Sequence, residues 1–116
     1  MGAAEWATSD VIESVERSVT ETTLTLCGEL DVSTMATVRD VLEQECGREP
    51  SRIVIDLAHV DFVDSSCINV LVQARGSLTK DGGSLILRNP SRHTHRVLTL
   101  CGVEFILAED AESHPA

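Results

Sequence analysis

The sequence is poor in basic and in aromatic residues. Its 116 residues include 9 Lys and Arg against 19 Asp and Glu, so the formal net charge is −10 at pH 7. A field of that sign repels the phosphates of nucleic acids and anionic lipids, so we expect no nucleic-acid partner. One Trp, two Phe and no Tyr are too few for a platform on which bases could stack.

Long apolar runs are also missing. No stretch approaches the roughly 20 apolar residues that a membrane-spanning helix needs, so no membrane insertion is expected. Residues 1–10 carry Glu5 and lack the basic start and apolar centre of a signal peptide. These features predict a cytoplasmic protein with reduced thiols.

Motifs for catalysis and for metal binding are absent as well. The cysteines Cys27, Cys46, Cys67 and Cys101 form no C-x-x-C pair, and His93 and His95 are spaced wrongly for one helix face. No glycines flank Ser65 and Ser66 as a hydrolase nucleophile requires, and no phosphate-binding glycine loop occurs. The segment 104–108 lacks the lysine of a phosphate-accepting receiver domain. We therefore expect no enzyme, no metal and no cofactor.

The hydrophobic pattern alternates between strand and helix periods. Such alternation predicts one α/β domain with a mixed, mostly parallel sheet of about five strands and helices mainly on one face. Residues 1–10 are predicted to be a flexible lead-in, 11–108 the domain and 109–116 a frayed tail. The predicted elements are strands at 11–17, 23–28, 53–57, 84–88 and 104–108, and helices over 35–46, 68–78 and before Gly102.

Polar residues mark the expected helix starts. Ser33 or Thr34 is predicted to cap the first helix, the pair Ser65–Ser66 the second, and the run 89–91 the third. Gly47 is predicted to end the first helix. Residues 58–61 are predicted to form a turn, and the third helix is expected to bury Val97, Leu98 and either Cys101 or Leu100.

Three segments carry a resemblance to a known family. Residues 56–71 read DLAHVDFVDSSCINVL, which closely resembles the signature of STAS domains, the bacterial anti-sigma-factor antagonists and their relatives. The run GELD at 28–31 and the later GGSLILRNP at 82–90 match two further family stretches in the expected order. The resemblance covers about residues 11–108 and implies the fold already predicted from the periodicity.

The resemblance also implies a function. Family members bind an anti-sigma factor that is a serine kinase of the GHKL class, and this binding frees a sigma factor. The kinase phosphorylates a serine, here Ser66 with Ser65 as the alternative; phosphorylation ends binding and a serine phosphatase restores it. The implied partner-binding residues are Glu29, Leu30, Asp31, Asp64, Ser65, Ser66, Cys67, Ile68 and Asn69.

Electrostatics are compatible with such a switch. A phosphate adds about −1.5 to −2 charges. At about 6 Å from a carboxylate it costs roughly 1–5 kcal/mol, whereas full switching needs on the order of 5.5 kcal/mol. We therefore expect steric blocking to add to repulsion by Asp61, Asp64 and Asp31.

Two positions depart from the family pattern. Cys67 and Asn69 stand where the family has glycines. A thiol at a helix N-terminus is expected to have a lowered pKa, so Cys67 is a candidate redox-sensitive residue, with an inert substitution as the alternative. The second functional hypothesis is a STAS binding module without a working phosphosite, as in a lipid-transport or stress-signalling assembly.

Overall fold

Strands and helices alternate along the chain as the periodicity predicts. The structure, a computed structural model, describes residues 11–46 and 52–107; the predicted lead-in, the cap at Gly47 and the tail at 109–116 lie outside them. The elements are β1 (Ile12–Arg17), β2 (Thr22–Leu30), α1 (Val32–Cys46), β3 (Arg52–Val63), α2 (Ser65–Lys80), β4 (Ser84–Arg88), α3 (Arg92–Leu100) and a 3₁₀ helix (Glu104–Ile106).

The four strands form one mixed sheet in the order β1-β2-β3-β4. β1 pairs with β2 antiparallel through a tight turn, whereas β2–β3 and β3–β4 are parallel. The predicted fifth strand at 104–108 is wrong. The amide of Ile106 donates to the Val103 carbonyl (3.1 Å), which commits this backbone to a local turn, and only Leu107 makes an isolated parallel bridge to Leu87.

Strand β3 is longer than predicted and absorbs the expected turn at 58–61. It runs for 12 residues because two register shifts against β2 accommodate the break in its alternating pattern. At the first shift the amide of Ala58 donates to the Asp56 carboxylate (2.9 Å). The extension carries Val63 to a position opposite Leu30, at the carboxyl ends of both strands.

One face of the sheet holds the hydrophobic core. Leu24, Ile55 and Leu87 lie opposite one another in register and are completely buried. All three helices contribute to the same cluster, while Val54, on the opposite side of β3, lies outside it. This confirms the α/β fold with helices mainly on one face.

Helix α3 buries less apolar surface than predicted. Ser91 caps it as expected, since its hydroxyl accepts from the amide of Thr94 (3.1 Å). Leu98 is buried and Val97 half-buried, but Leu100 and Cys101, the alternatives for the same face, are both exposed. Gly102 ends the helix in the left-handed region, at φ +74°.

A buried ion pair ties the first hairpin to α1. The Glu45 side chain is 2% exposed, and its Oε2 accepts from Nη2 and Nε of Arg17 at 2.6 and 2.9 Å. The Thr22 hydroxyl donates to Oε1 of the same carboxylate (3.0 Å). These contacts satisfy a charge that would otherwise be costly to bury.

A second charged pair crosses the sheet surface from β1 to β3. Nδ1 of His59 lies 2.7 Å from Oε1 of Glu13, and this contact raises the pKa of His59. Because the folded-state pKa is raised, the pair stabilises the fold below the ordinary histidine pKa of 6.5, and this contribution is lost as pH rises through the raised value.

Replacement of Glu13 by Gln is expected to lower the titration midpoint of His59. The change removes the negative charge that favours the imidazolium and leaves only a neutral amide oxygen as acceptor, with Asp56 as the remaining acidic neighbour. NMR titration of the His59 ring measures the shift. Glu16→Gln, on the same strand and equally charged, is the control; an equal shift in both variants would contradict a specific pair.

Candidate functional site

The two segments that were predicted to form the partner surface meet at one edge of the sheet. β2 and β3 are parallel, so their carboxyl ends lie side by side, with Leu30 opposite Val63. The amide of Asp64 then donates to the Leu30 carbonyl (2.9 Å). The run at 28–31 and the run at 64–66 are therefore held together by backbone contacts.

Asp31 caps helix α1. Its Oδ1 accepts from the amides of Ser33 and Thr34, both at 3.0 Å, and from the Ser33 hydroxyl at 2.8 Å. The predicted caps Ser33 and Thr34 are thus inside the helix, because an aspartate two residues earlier reaches the same free amides. These bonds, from the Thr34 amide above all, lower the pKa of Asp31.

Asp64 caps helix α2 in the same way. Its Oδ1 accepts from the amide of Ser66 at 3.0 Å, and Ser65 and Ser66 are the first helical residues rather than caps. The Ser66 hydroxyl donates to the same carboxylate oxygen (3.2 Å). An exposed serine hydroxyl therefore lies at a helix N-terminus, where the helix dipole favours negative charge.

The predicted contact residues divide into two groups by burial. Glu29, Ser65, Ser66 and Asn69 are exposed, and Asp31 and Asp64 are half-buried. Leu30, Cys67 and Ile68 are buried in the core, so their side chains do not lie on the exposed surface, and their contact with a partner stays a prediction. They fix the position of the exposed residues around them.

Cys67 does not have the environment expected for a reactive thiol. Its residue is 1% exposed, and burial raises the pKa of the thiol, with Asp64 and Asp31 adding repulsion to the thiolate. The expectation of a lowered pKa is therefore wrong, because desolvation and the two carboxylates outweigh the hydrogen bonds with the Asp64 backbone and the Ser66 side chain, which lower the pKa. Because a raised pKa disfavours the thiolate, which is the reactive form, it gives no support to a redox role for Cys67.

The site also contains residues that sequence reasoning missed. Val32 is 72% exposed at the start of α1 and, with Arg39, borders a groove of about 250 Å³ that reaches Ser66 between α1 and α2. Phe62 is 43% exposed and stacks on the His93 ring, with centroids 5.0 Å apart. Val32 directly follows the cap Asp31 and Phe62 lies two residues before the cap Asp64, but an isolated Val or Phe in a sequence is usually interpreted as a core residue.

The chemistry available at this edge is that of an acceptor. Among residues 11–46 and 52–107 no group of three His, Cys, Asp or Glu side chains is placed to hold a metal ion. No helix in the same ranges is long and apolar enough to cross a bilayer. The Ser66 hydroxyl, with one carboxylate as hydrogen-bond partner, can receive a group delivered by another protein.

Comparison with known proteins identifies the family. The STAS domain model matches residues 11–114. The anti-sigma-B factor antagonist of Listeria monocytogenes is 30% identical over 96 residues, which are 83% of this chain and 84% of the relative. The anti-sigma factor antagonist SpoIIAA in its unphosphorylated form superposes with a TM-score of 0.73 at 22% identity, covering 85% of this chain and 88% of that one. A putative anti-sigma factor antagonist from Thermotoga maritima superposes with a TM-score of 0.74 at 21% identity, covering 84% of this chain and 86% of that one. Because the family model covers most of the chain and the Listeria relative is 30% identical, the chain belongs to the STAS domain family.

Proposed function

We propose that this chain is a cytoplasmic anti-sigma-factor antagonist whose binding to its anti-sigma factor is controlled by phosphorylation of Ser66. Unphosphorylated, it binds an anti-sigma serine kinase of the GHKL class and so frees a sigma factor. Phosphorylated, it dissociates, and a serine phosphatase returns it to the binding form. The name of the Listeria relative supports the general role.

The observation that carries the proposal is the position of the Ser66 hydroxyl. It is exposed on the first turn of α2, 3.2 Å from the Asp64 carboxylate and beside the capped start of α1. A kinase can reach it without unfolding the domain. The partial positive charge of the helix N-terminus favours the resulting phosphate, so we expect the modified protein to keep its fold.

The exposed rim around Ser66 supports a docking role. Asn69 is exposed one helical turn after Ser66, Val32 lines the same groove as Ser66, and Glu29 is exposed beside Leu30, so Val32 offers an apolar contact among polar neighbours. Such a surface, an apolar residue with a polar rim, is typical of protein interfaces. Cys67 points inward, so it does not obstruct approach to the hydroxyl.

An in vitro phosphorylation assay tests the proposal. The full chain is mixed with ATP and the GHKL-type anti-sigma kinase from the same genome, and the modified residue is mapped by mass spectrometry. We expect one phosphate on Ser66 of the parent chain and none on the Ser66→Ala variant. The control variant Ser65→Ala removes a serine hydroxyl one residue earlier and is expected to leave phosphate incorporation unchanged.

Two other outcomes would contradict phosphorylation of Ser66. Phosphate on Ser65 alone would move the acceptor to the alternative serine. No phosphate on any serine, together with stable binding of the kinase, would replace the switch by a STAS binding module without a phosphosite.

A further inference from the structure

One segment of this acidic chain carries basic residues and no acidic ones. Residues 82–103 contain Arg88, Arg92 and Arg96 with His93 and His95, and no Asp or Glu at all. All 19 Asp and Glu residues therefore lie outside this segment, in a chain whose net charge is −10. The segment comprises β4, α3 and the turns around them.

Helix α3 presents these bases as a stripe. Thr94 and Leu98 are buried against the sheet, while the residues on the outer side of the helix are exposed. These exposed residues recur at alternating intervals of three residues and one residue, which places their side chains on a single helix face. This basic stripe consists of Arg92, His95, Arg96, Thr99 and Leu100.

The stripe has an apolar end and borders a shallow, open groove. Leu100, at the last turn, is 79% exposed. The same residues, with Pro90 and Ser91, line an open groove of about 600 Å³. From Arg92 to Leu100 the stripe extends about 12 Å, the length of some eight helical residues.

The arginines of the stripe have no acidic partner within the described part of the chain. The ion pairs found there are Arg17–Glu45 and His59–Glu13, and neither involves α3. Both guanidinium groups therefore keep their full set of donors free for a ligand. A guanidinium binds a carboxylate through two parallel hydrogen bonds, which favours carboxylate ligands that are held in fixed positions.

We propose that the basic stripe of α3 is a docking surface for an acidic segment of a second protein. The segment carries carboxylates spaced to pair with Arg92 and Arg96, and an apolar residue that covers Leu100. This surface lies on the outside of α3, whereas His93 on the same helix faces Phe62, so the proposal goes beyond the Ser66 switch and does not depend on it.

Charge distinguishes this occupant from the alternatives. A symmetric dimer through α3 would place the stripe against itself and bring like charges together. Nucleic acid or an anionic membrane presents negative charge over an area much larger than the stripe, and the remaining surface, which carries the acidic excess, would repel it. A short acidic peptide segment meets only the basic face.

A peptide-binding assay with matched variants tests the proposal. The probe is a fluorescein-labelled helical peptide with four Glu and two Leu at helical spacing, and its control has Gln in place of every Glu. The test variant is Arg92→Gln/Arg96→Gln, and the control variant Arg52→Gln/Lys80→Gln removes the same two charges from exposed positions elsewhere. Circular dichroism establishes that both variants keep the fold.

We expect the acidic peptide to bind the full chain and the test variant to bind it about tenfold more weakly, with the control variant unchanged and the effect reduced by salt. Leu100→Ser is expected to weaken binding without changing the salt dependence. Equal loss in both double variants, equal binding of the Gln peptide, or no binding of the acidic peptide would overturn the proposal. Preferential binding of duplex DNA or inorganic phosphate, or self-association that is lost in the test variant, would assign the stripe to another occupant.

Discussion

Replacement of Ser66 by Glu is expected to weaken binding to the anti-sigma kinase by roughly 100-fold, whereas Ser66→Ala is expected to change it by less than about threefold. The Ser66 hydroxyl is 3.2 Å from the Asp64 carboxylate. A unit negative charge about 6 Å from a carboxylate costs roughly 0.7 kcal/mol in water and about 2.8 kcal/mol at an effective dielectric of 20. Binding excludes water, so the repulsion grows in the complex and is weaker in the free protein.

Phosphoserine is expected to act more strongly than glutamate at the same position. Its charge of about −2 doubles the repulsion, and its bulk adds a steric conflict with any partner seated on Ser66 and Val32. We expect the phosphorylated protein to dissociate fully from the kinase and Ser66→Glu to lose only part of its affinity. Isothermal titration calorimetry with the purified kinase measures all three forms.

A charge elsewhere on the same helix provides the control for this series. Ser77 is exposed on α2 and lies eleven residues after Ser66, about 16 Å along the helix. Ser77→Glu is expected to leave binding unchanged. A loss equal to that of Ser66→Glu would mean that net charge, and not the position of the acceptor, governs the interaction.

Replacement of Arg17 by Met is expected to destabilise the fold by about 3 kcal/mol. The variant leaves the Glu45 carboxylate, whose side chain is 2% exposed, without its guanidinium partner. The double variant Arg17→Met/Glu45→Met removes the buried charge together with its partner. It is expected to recover at least half of the loss, since an apolar pair of similar volume avoids the desolvation cost.

Urea denaturation measures the free energy of unfolding for each variant. Arg52→Met, at an exposed position, is the control and should stay within about 0.5 kcal/mol of the parent. If the double variant were less stable than Arg17→Met alone, the pair would be a net source of stability and not a neutralised buried charge.

The sequence predicts this fold well where periodicity and burial agree. The strand at 84–88 and the helix over 68–78 are recovered because each buries one continuous apolar face. The length of β3 could not be predicted, since its two register shifts depend on pairing with β2, which no local pattern encodes. The segment 104–108 reads as a strand because Phe105, Ile106 and Leu107 are apolar, yet its local hydrogen bond produces a 3₁₀ turn.

The site was predicted in outline and not in detail. The motif placed Glu29, Asp31, Asp64 and Ser66 in one region, and the parallel pairing of β2 with β3 joins them. The choice of Asp over Ser as cap was missed, because both residue types are good caps and only backbone geometry selects between them. Burial of Cys67 reverses its expected pKa, since the local helix terminus was visible in the sequence but the packing of α1 against it was not.

The isolated bridge between Leu87 and Leu107 has a consequence for behaviour at high concentration. An open sheet has two outer strands whose free amides and carbonyls can recruit another chain and start aggregation. Along β4, the bridge from Leu107 to Leu87 covers part of this outer strand with a segment of the same chain. On β1, the register irregularity between Ile12 and Ser14 and the exposed charges of Glu13 and Glu16 discourage a flat, complementary neighbour. Both outer strands of the sheet therefore carry features that disfavour fibril growth.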